Sequence, residues 1–197
     1  MTTMLVARHG QSEWNAVGRW QGQADTPLSD RGRDQARVAA DRLGTVDVIV
    51  ASDLQRATET AAIISRALGV GPVVVEGRLR ERDAGEWSGL TRAEIERDWP
   101  GFLEAGRLPP GFEPAEALRA RVRAGLDAVA EAYAGAEVLV ISHGGVIYGI
   151  EAEHGLDHER IPNLGARQIV HHGDRLALGE RVLLVDDEGL RSVPGQL

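Results

Sequence analysis

Three short stretches of this sequence carry side chains that could do chemistry together. "RHGQSEWN" (8–15) follows the apolar run "MLVA" and sets Arg8 and His9 where a buried strand should run out into solvent. "ASDLQRATETA" (51–61) ends a second apolar run and carries Arg56 into the first turn of a helix, with Ser52 and Asp53 as its expected N-cap. "VISHGG" (140–145) ends another run in His143 and two glycines. Arg8 and Arg56 are planar, permanently charged forks that fit phosphate oxygens. The helix beginning near Ser52 would add backbone donors and a positive dipole end. Cysteine and lysine are both absent, so a histidine is the natural nucleophile toward phosphorus. It attacks through one nitrogen while an acceptor fixes the other. The second histidine, if protonated, would help to hold charge on the transferring group.

A phosphate ester also needs a proton donor for its departing alcohol. "RLRERDAGEWSGL" (78–90) offers Glu81, Asp83 and Glu86, any of which could be that general acid. Neighbouring arginines would oppose the protonated form, and a bound phosphate dianion would favour it.

These side chains have to be positioned by something. Apolar, β-rich runs fall at 3–7, 46–51, 73–75, 137–142 and 182–185, and helical patterns at 29–43, 53–68, 115–134 and 145–154. Short buried strands alternating with helices predict a parallel sheet covered on both faces. Such open α/β sheets receive ligands beyond the carboxyl ends of their strands, where Arg8, His9, Arg56 and His143 stand. The segment "WPGFLEAGRLPPGFEP" (99–114), rich in proline, glycine and aromatics, is expected to be a surface excursion that lines the site. "VLLVD" (182–186) reads as a late antiparallel edge strand, and "NLGARQIVHHG" (163–173) as a strand or loop returning to the active face.

The totals narrow the classes. The 197 residues suit a single domain over 1–197, able to bury a core unaided. The absence of cysteine excludes disulfides and thiolate metal sites, and the absence of lysine excludes Schiff-base chemistry. A formal charge of -8 argues against a nucleic-acid partner. The apolar stretch at the N-terminus is too short for a signal peptide, and no segment reaches the roughly 20 apolar residues of a membrane span. The expectation is therefore a soluble, cytoplasmic protein with no membrane partner. Whether it forms a homodimer is left open. His154 and His158 have helical spacing but no evident third ligand. They and the pair His171 and His172, on opposite faces of a strand, are assigned surface or structural roles. No metal and no cofactor are expected. Trp87 is expected to plug the core, and Tyr148 either packs or meets substrate.

Taken together, "RHGQSEWN", "ASDLQRATETA", "LRERDAGEWSGL" and "VISHGG" resemble the histidine phosphatase superfamily, the phosphoglycerate mutase-like proteins. The resemblance implies a three-layer α/β/α sandwich with a mostly parallel central sheet. It implies that His9 is the phosphorylated nucleophile, that Arg8, Arg56 and His143 form the phosphate pocket, and that Glu81 is the proton donor. Asn15 and Gly144 join the phosphate contacts, and Gln21 and Gly22 match the loop bordering the substrate. "GFEPAEALRARV" resembles a family segment read as Gly-Gly-Glu-Ser and an arginine. Phe112 and Pro114 depart from it, which leaves the roles of Glu113 and Arg121 open.

Three functions compete on this evidence. The preferred one is a metal-independent phosphatase acting on small-molecule phosphate esters, such as sugar phosphates or phosphoglycerate-like compounds. The others are a cofactor-dependent phosphoglycerate mutase and a non-catalytic phospholigand-binding protein. Family mutases carry an adjacent arginine pair after the proton-donor segment, and residues 91–114 hold only Arg92, Arg97 and Arg107. Ala84 stands where those mutases have tyrosine, and Arg92 where they have lysine. The silent reading needs a missing catalytic residue, and none is missing.

Overall fold

A computed structural model describes residues 1–186. In chain order its first half runs β1 (Thr2–Arg8), α1 (Glu13–Ala16), α2 (Asp30–Ala40), β2 (Val48–Ala51), α3 (Gln55–Leu68) and β3 (Val74–Val75). Two short 3-10 turns follow at 77–79 and 85–87. The second half runs α4 (Arg92–Asp98), α5 (Ala115–Ala132), β4 (Glu137–Ser142), α6 (Gly144–Glu153), β5 (Gly165–His171) and β6 (Leu176–Leu183).

The strands form one six-stranded sheet in the order β3-β2-β4-β1-β5-β6. The pairings among β3, β2, β4 and β1 are parallel, whereas β5 and β6 return as an antiparallel pair beside β1. The sheet is thus mixed, with the expected parallel part carrying the helical crossovers. Alternation along the central strands divides the core in two. Met4, Val6, Val138 and Val140 face α5 and α6, where Leu118, Val122, Leu126 and Val129 recur at helical spacing along one stripe of α5. Ala7, Leu139 and Ile141 face α2 and α3, whose contact surfaces are largely alanine: Ala36, Ala39, Ala57 and Ala61. Small residues let those two helices lie close to the sheet. Helices on both faces give the three layers.

Three expectations about elements need correction. β5 is a full strand, and β6 starts at Leu176, well before the run at 182–185. Helices α1 and α4, both short, were not expected. The cap of α3 is also different. Its N-cap is Leu54, and the Gln55 N–H is taken by the Asp25 carboxylate at 2.5 Å. Asp53 instead forms an ion pair with Arg80, and Ser52 turns toward His143. No helix among the described residues is long and apolar enough to cross a membrane.

Candidate active site

Register assembles the site. Arg8, the last residue of β1, lies opposite Ser142, the last of β4, and Ala51 at the end of β2 lies opposite Ile141. The next residues, His9, Ser52 and His143, therefore emerge together from one end of the sheet. The His9 and His143 rings meet edge-on, 5.2 Å between centroids. Both are buried.

His9 is fixed on both sides. Its Nδ1 lies 2.6 Å from the Gly10 carbonyl oxygen, an acceptor that requires the proton on Nδ1. Its Nε2 then carries the lone pair and accepts from Arg56 Nε at 3.2 Å. Burial, then the charges of Arg56 and Arg8, push the imidazole well below its ordinary range, so it is neutral at pH 7. His143 is held 2.8 Å from Ser52 Oγ through Nε2, while its buried Nδ1 has no hydrogen-bond partner among the described residues. Burial, Arg56 and His9 push it down as well. The expected protonated His143 is therefore a neutral imidazole in the protein as it stands. An anion that offsets the guanidinium charges would favour its protonation.

The two arginines are held by carbonyls. Arg8 Nη1 donates to the Ile161 oxygen at 2.8 Å. Arg56 donates to the carbonyls of Ala24 and Gly22 at 2.7 and 2.8 Å, and burial draws it down to about 10, still a cation at neutral pH. Neither guanidinium has a salt-bridged carboxylate among the described residues. Gly22 itself has to be glycine: φ is +48°, and a Cβ there would fall 2.5 Å from the Ala84 backbone nitrogen. The result is a buried concentration of positive charge that suits an anion.

Glu81 faces this pair from the segment after β3. Its Oε1 accepts from the Arg82 N–H at 2.7 Å and its Oε2 from the Gly145 N–H at 3.3 Å, in the first turn of α6. A side chain on Gly145 would begin 2.2 Å from Glu81 Oε1, so the helix start and the carboxylate meet only because that residue is glycine. Glu81 borders the cleft; Asp83 and Glu86 do not. Asp83 accepts the Gly85 N–H instead, and Glu86 is exposed. Glu113 and Arg121 now have a structural account. Arg121 forks onto Glu113 and donates to the carbonyls of Arg78, Arg80 and Glu81, clamping the backbone that carries Glu81. His143 is itself the N-cap residue of α6, so a second helix N-terminus, besides that of α3, starts at the site.

A cleft of about 390 Å³ opens over Arg8, His9 and Glu81, whereas Arg56, His143 and Gly144 are buried and not on its lining. Arg8, His9, Asn15, Gln21, Gly22 and Glu81 border it. Asn15 sits in the capping box of α1, and its Oδ1 accepts from Asn163. Gln21 is tied by Ser12 and Thr26. Gly144 is buried at the start of α6, and a Cβ there would meet the Tyr148 ring at 3.3 Å. The 99–114 segment does form one wall, through Leu103, Arg107, Leu108 and Phe112. Trp87 is buried as expected, but it packs edge-on to Trp20 and Phe112 as part of that same wall. Tyr148 both borders the cleft and accepts the Ile161 N–H. His158, assigned no site role, packs at a tilt against Tyr148 at the cleft rim. The other three keep structural or surface positions. His154 bonds two carbonyls, His171 pairs with Asp127, and His172 points to solvent.

Sequence reasoning missed Asn163, Ser52 and Thr60 as site residues. Asn163 Nδ2 donates to the His9 carbonyl at 2.9 Å, and Thr60 Oγ1 accepts the Gly10 N–H at 3.1 Å. Leu164, beside Asn163, has φ 58°, a strained conformation for a leucine. Its N–H bonds the Arg8 carbonyl. The turn-like "PNLG" (162–165) was the available signal, in a stretch read only as returning to the active face.

Residues 4–172 match the histidine phosphatase superfamily, branch 1. A glucosyl-3-phosphoglycerate phosphatase of Mycobacterium tuberculosis is 40% identical over 164 residues, covering 76% of this chain and 73% of that one. A probable phosphoglycerate mutase of Enterobacter sp. is 39% identical over 155 residues, covering 73% and 70%. Among solved structures, a mycobacterial glucosyl-3-phosphoglycerate phosphatase in complex with VO3 superposes with a TM-score of 0.80 at 35% identity, over 90% of this chain and 96% of that one.

Proposed function

The chain belongs to the histidine phosphatase superfamily, and from that premise we propose that it is a phosphomonoesterase hydrolysing small phosphate esters through a phosphohistidine on His9. The observation that carries this reading is the tautomer of His9. The Nδ1–H bond to Gly10 puts the lone pair on Nε2, where it accepts from Arg56 Nε and becomes the nucleophile once an entering phosphoryl group takes that donor over. A phosphoryl group entering there receives Nε2 at phosphorus, while Arg56 and Arg8 turn their free donors to its non-bridging oxygens. Asn15, His143 and the N–H group of Gly144 complete the cradle, while the Gly145 N–H holds Glu81. Gln21 and Gly22 border the leaving alcohol.

In the first step the bond from phosphorus to the ester oxygen breaks as the bond to Nε2 forms. Glu81 gives its proton to the departing oxygen. In the second, the Glu81 carboxylate takes a proton from water, whose oxygen displaces Nε2 and releases inorganic phosphate. Water is preferred to a second sugar acid as acceptor because 91–114 supplies no adjacent arginine pair. Ala84, bridged to Phe112, also keeps that stretch of the cleft wall apolar. The name of the mycobacterial relative supports a phosphatase acting on a phosphoglycerate-like ester.

The test is a rapid alkaline-stable quench with labelled substrate. Label should be trapped on the wild-type protein and lost in His9→Ala. Free phosphate should appear in proportion to substrate consumed without a bisphosphate primer, and vanadate should inhibit. Isomerised product in excess of free phosphate would assign a mutase instead. Labelling that persists in His9→Ala would remove His9 from the role.

A further inference from the structure

The cleft wall beyond Glu81 carries guanidinium groups that this chemistry does not use. Arg82 spends only Nε, on the Glu113 carbonyl at 2.8 Å, and lies 4.7 Å over the Phe112 ring. Arg119, half-buried on α5, forms no hydrogen bond or ion pair among the described residues. Both border the cleft that contains His9. They are close enough to oppose each other. Burial, and more weakly the Arg119 charge, draw Arg82 below its ordinary value, against Glu113 and Glu81. Two cations on one wall, with donors unspent, are complementary to a single anion between them.

Helix α6 acts as a ruler for the distance. A side chain on Gly145 would begin 2.2 Å from Glu81 Oε1, and one on Gly149 would begin 3.9 Å from Arg119 Cγ. Those positions are four residues apart, roughly 6 Å along the axis. The Arg119 stem therefore lies about one helical turn from the carboxylate that would protonate the ester oxygen. A short carbon chain spans that interval.

We propose that Arg119, with Arg82 beside it, forms a second anion subsite that binds a carboxylate or a second phosphate of the substrate, a short carbon chain away from the scissile ester. The proposal rests on the phosphatase reading and narrows its substrate class to esters carrying a second negative group. A simple alkyl phosphate leaves both guanidiniums without an anion.

Three matched probes test it: 3-phosphoglycerate, glycerol 3-phosphate (CH₂OH in place of the carboxylate), and propane-1,3-diol bisphosphate. Wild type should favour one of the doubly anionic esters over glycerol 3-phosphate, chiefly through KM, and the favoured one identifies the anion. Arg119→Gln should lose about 10- to 100-fold in kcat/KM on that ester, the range for a charge-assisted hydrogen bond, and change little on glycerol 3-phosphate. Arg119→Lys, which keeps charge without the fork, should recover part of the loss. Arg31→Gln, removing an exposed charge from α2, should match wild type. Equal kcat/KM on all three esters, or a uniform loss in Arg119→Gln, would overturn the subsite and leave the phosphatase standing. No turnover of any probe, p-nitrophenyl phosphate included, would remove the phosphatase reading and the subsite with it.

Discussion

A nucleophilic imidazole must be neutral, and His9 is kept neutral by burial and by two guanidiniums. The direction of that shift predicts a pH profile. Phosphoenzyme formation should hold its rate as pH falls through the ordinary histidine range near 6.5, because protonation of His9 is displaced to lower pH. Read at subsaturating substrate, where the ionisation of the free enzyme governs the rate, a burst rate that halves near pH 6.5 would contradict the assignment. Stability should behave otherwise. In the unfolded chain His9 and His143 take up protons near 6.5, while in the folded protein both resist them. Their contribution is fully present above the unfolded value and is lost as pH falls toward the folded values. Glu81 is tested through what leaves. An alkoxide needs a proton and a nitrophenolate hardly does, so Glu81→Gln should slow the burst with a sugar phosphate by ~10²–10⁴-fold. The burst with p-nitrophenyl phosphate should change far less, and equal losses would turn attention to Asp83 or Glu86. At this scale the sequence was legible wherever a residue's chemistry is unusual for its place. An arginine and a histidine at a strand end are conspicuous. Asn163 and Thr60 act by hydrogen-bonding backbone across 154 and 50 residues of chain, and nothing local distinguishes such an asparagine or threonine from a loop or helix residue.

Elements decide how accurately those side chains are presented. β1, β2 and β4 were readable because strands buried on both faces must be apolar almost throughout. β5 and β6 were not, because in "GARQIVH" and the edge strand "LALGERVL" the residues Arg167, Gln168, Glu180 and Arg181 dilute the pattern. The same limit applies to the Arg121 clamp. Its partners are mainly carbonyls, which sequence does not advertise, and they belong to a segment 40 or so residues earlier. Arg121 is a positioning residue for Glu81. Arg121→Lys keeps the charge but cannot span Glu113 and three carbonyls. A displacement of about 1 Å at a catalytic group can cost 10²-fold, so kcat on an alkyl ester should fall by roughly 10- to 10²-fold with KM little changed. The p-nitrophenyl phosphate burst, which hardly needs Glu81, should be nearly spared. Equal losses on the two substrates would make the clamp merely structural. Gly145→Ala should imitate it from the other side, since its Cβ would displace Glu81.

For the whole molecule, a net charge of -8 surrounds a site of opposite sign. The net negative charge and the buried cations Arg8 and Arg56 coexist because the latter are fixed by carbonyls of Ile161, Ala24 and Gly22. Holding two guanidiniums out of water without a carboxylate partner opposes folding. An inorganic anion that enters relieves this and binds the folded state alone. Phosphate should therefore raise Tm above its value in chloride at matched ionic strength. At 100 times Kd the linkage gain is about 2.7 kcal/mol. For a chain of this size each kcal/mol shifts Tm by about 2–4 °C, so a rise of roughly 5–10 °C is expected. The pH dependence adds a second requirement. A bound dianion offsets the arginine charges that hold His9 and His143 neutral, so their folded pKa values move back toward the unfolded one. The loss of Tm between about pH 7 and pH 5 should then be shallower in phosphate than in chloride. A Tm indifferent to phosphate at neutral pH would mean that the cation cluster does not receive an anion. A rise with an unchanged acid slope would place the anion away from the two imidazoles.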